Sequence, residues 1–120
     1  MNKLKIGGKN RPFSFTADAF EEFSDKYDIP LAELGTAFSR IRIGQFYDLA
    51  FLGLSEGARV SNLTVDFDRD VVKKWMNGKL SEVMGEVITF AAKDLGMIFG
   101  TDVEVEEKPG NVKEIAKAKQ

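Results

Sequence analysis

Residues 80–99 read LSEVMGEVITFAAKDLGMIF, and the spacing within this stretch decides the fold class. Glu82, Glu86, Thr89 and Lys93 recur at i, i+4, i+7 and i+11, which confines them to one narrow stripe of an α-helix. Leu80, Val83, Met84, Val87, Ile88, Phe90, Leu95, Met97, Ile98 and Phe99 take up the rest of the surface. That apolar arc is much wider than the roughly 100° a half-buried helix needs. Two readings follow: the helix is wrapped by the rest of the chain, or part of its arc is a docking face. Gly100 ends the pattern.

Upstream, the chain reads as further helices. Asp68 is an N-cap before a short helix bearing Val71, Val72, Trp75 and Met76, with Phe67 and Val72 in staple positions and Asn77-Gly78 as the stop. Arg59–Phe67 reads as loop or extended chain. Ile43–Gly57 is apolar nearly all round, through Phe46, Tyr47, Leu49, Ala50, Phe51, Leu52 and Leu54, as expected of a central helix. Gly53 and Gly57 weaken its last turns, and Gly57 is placed as its C′ residue. A helix with Leu31, Leu34 and Phe38 inward follows Pro30, since proline is tolerated in a first turn. Before it, Thr16 caps a helix running to about Tyr27, with Asp18 in its first turn, a Phe15–Phe20 staple and Phe20, Phe23 and Tyr27 along one face. The chain opens with a β-hairpin over Lys3–Phe15. There Leu4 and Ile6 alternate with Lys3 and Lys5, Phe13 and Phe15 flank Ser14, and Gly7-Gly8-Lys9-Asn10 forms the turn. A hairpin this short needs the helices for support. The expected fold is mainly α: four to five helices packed as a small bundle with a short N-terminal β-hairpin. Residues 1–100 form that domain, and 101–120, charged and without an aromatic residue, form a flexible tail.

Composition narrows the function. The 120 residues suit one domain, 43% are hydrophobic, and ten are phenylalanine. Lys+Arg totals 17 against 19 Asp+Glu, a net charge of −2, which disfavours binding to nucleic acid or an anionic membrane. The absence of cysteine excludes disulfides and thiolate metal sites. The absence of histidine removes the commonest general base and metal ligand. No apolar leader opens the chain, and Ile41–Leu54 is too short to span a bilayer and is broken by Arg42, Gln45 and Asp48. A cytoplasmic protein that binds other proteins, without enzymatic activity or cofactor, is expected.

Motif searches agree with that expectation. Asp66, Asp68 and Asp70 resemble the start of a calcium loop, yet Val71 stands where glycine is needed and Asn77 where a bidentate Glu is needed. An acidic helix start explains them better. Gly8-Lys9 lacks the upstream glycine and downstream Ser/Thr of a phosphate loop and reads as a turn. Glu21, Glu22 and Asp25 fall on the face opposite Phe20 and Phe23 and read as solvated surface. Phe46, Tyr47 and Phe51 lack interleaved basic residues and read as core, not as a base-stacking platform. Trp75 has two readings, core anchor or exposed binding residue. On the docking reading, the candidate partner-binding residues are Trp75, Val83, Val87, Phe90, Met97 and Phe99.

The order of elements carries a resemblance. Lys3-Leu4-Lys5-Ile6 and Phe13-Ser14-Phe15 lead into Thr16-Ala17-Asp18-Ala19-Phe20-Glu21-Glu22-Phe23, an F-T-x-x-A-x-x-x-F pattern. Ile29-Pro30-Leu31-Ala32-Glu33-Leu34 follows. Next come an apolar helix ending in Ala50-Phe51-Leu52-Gly53-Leu54 (A-x-L-G-L) and a long helix closing in Phe99-Gly100. Over Lys3–Gly100 this resembles the tail assembly chaperones of long-tailed bacteriophages and related proteins of gene-transfer particles. The resemblance rests on layout and soft patterns. It implies a holder of the long, apolar, helical tape measure protein, with tail tube subunits and self-association as further contacts. It further implies action in the cytoplasm of the bacterial host, absence from the mature virion, and often a longer form made by frameshifting, which here would attach after Gly100. The alternative is a structural tail or head-completion subunit, which predicts closed oligomers retained in particles. A third is an acid-only metal enzyme built on Asp66, Asp68 and Asp70.

Overall fold

In the computed structural model, which describes residues 1–100, the chain opens as an antiparallel hairpin, β1 (Asn2–Ile6) and β2 (Lys9–Phe13). The expected charged tail, 101–120, lies outside the described residues. The turn is tighter than the sequence suggested. Only Gly7 and Gly8 form it, both at positive φ (63° and 77°), and Ile6 pairs with Lys9. A two-residue turn with left-handed backbone at both positions matches the natural strand twist, so Lys9 and Asn10 belong to β2. Ile6 and Lys9, flanking the turn, form a hydrogen-bonded pair, and pairs then alternate along the ladder. Pro12, opposite Lys3, therefore falls where its missing N–H costs no ladder bond.

Five α-helices follow among the described residues: α1 (Ala17–Tyr27), α2 (Leu34–Ser39), α3 (Ile43–Val60), α4 (Arg69–Trp75) and α5 (Leu80–Phe99). This is the mainly helical fold with an N-terminal hairpin that the patterning predicts. The Thr16 hydroxyl caps α1 by accepting from the Ala19 N–H at 3.2 Å, and Asp68 caps α4 by accepting from the Val71 N–H at 2.9 Å. The Phe15 and Phe20 rings stack across the start of α1 with centroids 5.2 Å apart, which is the expected staple. Ser24 closes the other end of α1: its hydroxyl donates to the Ile29 carbonyl and its carbonyl accepts the Ile29 N–H.

Two expectations fail for tertiary reasons. Leu31 lies in a 3₁₀ turn (Leu31–Glu33) and is 55% exposed; only Leu34 and Phe38 turn inward. Gly57 does not end α3, which runs on to Val60 and shortens the expected loop. A Cβ on Gly57 would lie 2.2 Å from the Pro12 carbonyl oxygen, and one on Gly53 would lie 2.2 Å from the Phe13 ring. The two glycines are the seat into which β2 packs. The Ser14 N–H donating to the Gly53 carbonyl, 3.1 Å, fastens that seat.

The core is dominated by phenylalanine: Phe13, Phe20, Phe23, Phe38 and Phe46 are fully buried beside Leu4, Ile6, Leu34, Leu49 and Leu54. Ring contacts run from Phe90 to Phe13, Phe15, Phe20, Phe38, Phe23 and Tyr27, with successive centroids 5.0–6.1 Å apart. This series of rings joins α5, the hairpin, α1 and α2 through edge, tilted and, at Phe15–Phe20, stacked geometries. Among the described residues no helix is long and apolar enough to cross a membrane.

Candidate partner-binding surface

The wide arc of α5 divides in two. Val83, Val87, Ala91 and Leu95, spaced i, i+4, i+8 and i+12, are buried. Val83 and Val87, candidate contact residues on sequence grounds, are thus core in this fold and closed to a partner: α2, α3 and β1 pack along the helix and take up that stripe. Phe90 is half-buried against the Phe13 ring at 5.5 Å. Met97 and Phe99, by contrast, are 71% and 40% exposed, and Ile98, between them, is exposed as well. The uncovered part of the arc is the final turn.

Position within the fold explains why that turn is bare. The Asp94 carboxylate accepts the Phe15 N–H at 3.0 Å and the Asn2 side-chain amide at 3.1 Å, and Lys93 donates to the Asn2 carbonyl oxygen at 3.2 Å. These bonds tie α5 to the beginning of β1 and of α1. Past them the last turn carries the exposed Met97, Ile98 and Phe99, until Gly100, at φ 71°, turns the backbone left-handed and donates to the Gly96 carbonyl. The Ser61 hydroxyl meets the Met1 sulfur at 3.5 Å, so the end of α3 reaches the same end of β1. Exposed Leu63 lies elsewhere, in a cleft lined by Lys9, Asn10, Arg11 and Pro12 of β2.

Trp75 is half-buried against the hairpin. The Arg11 guanidinium lies 4.4 Å from its ring centroid, Phe67 packs 5.8 Å away, and a Cβ on Gly7 would lie 2.5 Å from the indole. Arg11 is held in turn by the Ile6 carbonyl at 3.0 Å and the Asp66 carboxylate at 3.0 Å. Trp75 thereby anchors the hairpin turn onto α4. The three aspartates of the supposed calcium loop are spent separately: Asp66 on Arg11 and Lys9, Asp68 on its cap, while Asp70 stays exposed in the first turn of α4. The Arg11 guanidinium beside Asp66 holds that carboxyl below the usual carboxylate range. Glu21, Glu22 and Asp25 are exposed, Phe46 is buried, and Tyr47 and Phe51 are half-buried.

One polar cluster escaped the sequence reading. Asp48, on α3, is only 7% exposed. Its carboxylate accepts from Lys26 at 2.8 Å, from the Tyr27 hydroxyl and from Arg69 Nε at 2.5 Å, while Arg69 also donates to the Gly44 carbonyl at 3.1 Å. Burial pushes the Asp48 carboxyl up, but the hydrogen bonds from Lys26, Tyr27 and Arg69 outweigh it and hold the group below its ordinary value. Beside it is a cleft of about 180 Å³ lined by Glu22, Phe23, Lys26, Phe51, Leu52 and Arg69. The cluster pins α1 and the first turn of α4 to α3, and every strong donor around the carboxylate is already engaged by it. The signal was present in the sequence: a single carboxylate inside Phe46-Tyr47-Asp48-Leu49-Ala50, where solvent exposure is not available.

No protein-family model, curated protein or solved structure matches this chain.

Proposed function

We propose that this protein is a tail assembly chaperone that holds the tape measure protein during phage tail assembly, acting by binding and not by catalysis. The reading begins from the resemblance in the order of elements: fold-back strand, capped helix, apolar helix and long closing helix. Within the fold, the single observation that carries it is the bare final turn of α5. Met97, Ile98 and Phe99 remain exposed on a domain whose other helices are packed around a phenylalanine core. An elongated apolar helix, such as a tape measure segment, aggregates unless its face is covered, and a projecting apolar helix end offers it a contact of matching chemistry. A chaperone of this kind acts in the bacterial cytoplasm before the tube polymerises and is then released.

The test is a tagged pull-down from phage-infected cells alongside analysis of purified particles. Recovery of a long helical tape measure protein from cells, with this chain absent from particles, is the expected result. Stoichiometric presence in particles would make it a structural tail or head-completion subunit, with the same apolar end as an assembly contact.

A further inference from the structure

The backbone of β1 has polar groups left over. β1 pairs with β2 alone. Because Ile6 and Lys9 are a hydrogen-bonded pair, Lys3 and Lys5 fall at the alternate positions, where N–H and C=O groups point away from β2. No hydrogen bond reaches those groups among the described residues. The Lys3 and Lys5 side chains are exposed on one face of the strand, whereas Leu4 and Ile6 are buried on the other. Neither lysine is in a salt bridge among the described residues. An open edge recruits strands unless proline, a bulge or charge blunts it. β1 holds no proline, and its register is continuous over all five pairs, so the two lysines are its one guard.

That guard is selective by sign. In any antiparallel pairing of this edge with the same edge of a second copy, lysine stands opposite lysine, and like charges directly opposite are destabilising. Carboxylates at the same positions are attracted instead. We propose that the outer edge of β1 takes up an extended partner segment in which acidic residues alternate with apolar ones, added antiparallel as a third strand. Residues directly opposite share a face, so the carboxylates meet Lys3 and Lys5 while the intervening apolar side chains turn to the side of Leu4 and Ile6. Main-chain bonds at Lys3 and Lys5 hold the segment, and the lysines fix its register, since a one-residue slip would send the carboxylates to the apolar side. The inference stands independently of the tape measure reading.

NMR titration of the full chain with a blocked peptide of alternating valine and glutamate tests it. At saturation the Lys3 and Lys5 amides are expected to exchange about tenfold more slowly or better, while Leu49 and Ala50 of α3 are unchanged. Peptide N-methylated at its glutamates, whose amides face β1 in an antiparallel pair, should lose that protection, and peptide N-methylated at its valines should keep it. These comparisons leave the protein unaltered. Unprotected Lys3 and Lys5 amides would overturn the proposal. So would equal protection by the glutamate-methylated peptide, or by a peptide of the same composition with its glutamates in one block, because either would show attraction to charge without strand pairing. Charge reversal adds a further check: K3E/K5E should refuse the valine–glutamate peptide and accept a valine–lysine one. Unchanged preference in that variant, with Leu49 and Ala50 still native, would count against the selection by sign.

Discussion

Gly57 of α3 faces the Pro12 carbonyl of β2 at a separation that leaves no room for a side chain: a Cβ there would lie 2.2 Å from the oxygen. In an isolated helix, Gly→Ala stabilises by about 1 kcal/mol. Here the sign reverses, because the obstacle is backbone. Gly57→Ala is expected to destabilise by about 1–3 kcal/mol, the usual range for overpacking. Gly53→Ala, facing the buried Phe13 ring, should fall in the same range, and urea denaturation measures both. A gain in stability from Gly57→Ala would contradict the seat.

Asp48 is the polar fastening among α1, α3 and α4. Asp48→Ala removes three charge-assisted or hydroxyl bonds and leaves Tyr27 and Arg69 without their shared acceptor. A loss of about 1–3 kcal/mol is expected, since Lys26 and Arg69 are partly solvated and recover water.

The same cluster sets a pH dependence. Asp48 is held below its ordinary value in the folded chain, so the unfolded chain binds the proton more readily. Its contribution is fully present above the unfolded carboxylate range near pH 4 and is lost as pH falls through the lowered folded value. Glu56 acts in the same direction: hydrogen bonds from Arg59 and Thr16 hold it low against its partial burial. Denaturation midpoints in the natural chain should therefore drop between about pH 5 and pH 2 more steeply than in Asp48→Asn. Parallel profiles would show that the carboxylate carries no such linkage.

Thr16 works in two directions. Its hydroxyl accepts the Ala19 N–H as the cap of α1 and donates to Glu56 of α3 at 2.5 Å. Thr16→Ala should cost about 1–2 kcal/mol, and Thr16→Ser should recover most of it, as read from thermal or chemical unfolding.

The two halves of the α5 arc respond oppositely to charge. Met97→Asp and Phe99→Asp lie in the exposed final turn and should change stability by no more than about 0.5–1 kcal/mol while abolishing recovery of the tape measure protein. Val87→Asp places a carboxylate in the core and should cost more than about 4 kcal/mol, leaving the chain largely unfolded. Normal capture by a folded Met97→Asp/Phe99→Asp double variant would remove the final turn from the proposed contact.

Much of the fold was legible along the chain because it depends on local rules. Caps at Thr16 and Asp68, the Phe15–Phe20 staple and the bounds of α5 each rest on residues within a few positions of one another. Local rules misjudged residues whose role is set by a distant partner. Gly57 read as a helix stop because propensity cannot register Pro12 lying over it. Leu31 read as core because its spacing to Leu34 and Phe38 fits a helix, but the first turn after Pro30 winds as 3₁₀ and rotates it outward. Trp75 was ambiguous until Gly7 and Arg11 were seen against its ring.

The sequence by itself determined a helical chain with a glycine hairpin, a phenylalanine-filled core and no histidine or cysteine chemistry, since periodicity, capping and composition are properties of neighbouring residues or of the whole count. Only the tertiary structure decided which part of the α5 arc faces solvent, because Val87 and Met97 are equally apolar and stand apart only through what packs on them. It likewise decided that Asp48 is a fastening and not a surface charge: Lys26, Tyr27 and Arg69 come from two other parts of the chain, and folding alone brings their donors to one carboxylate.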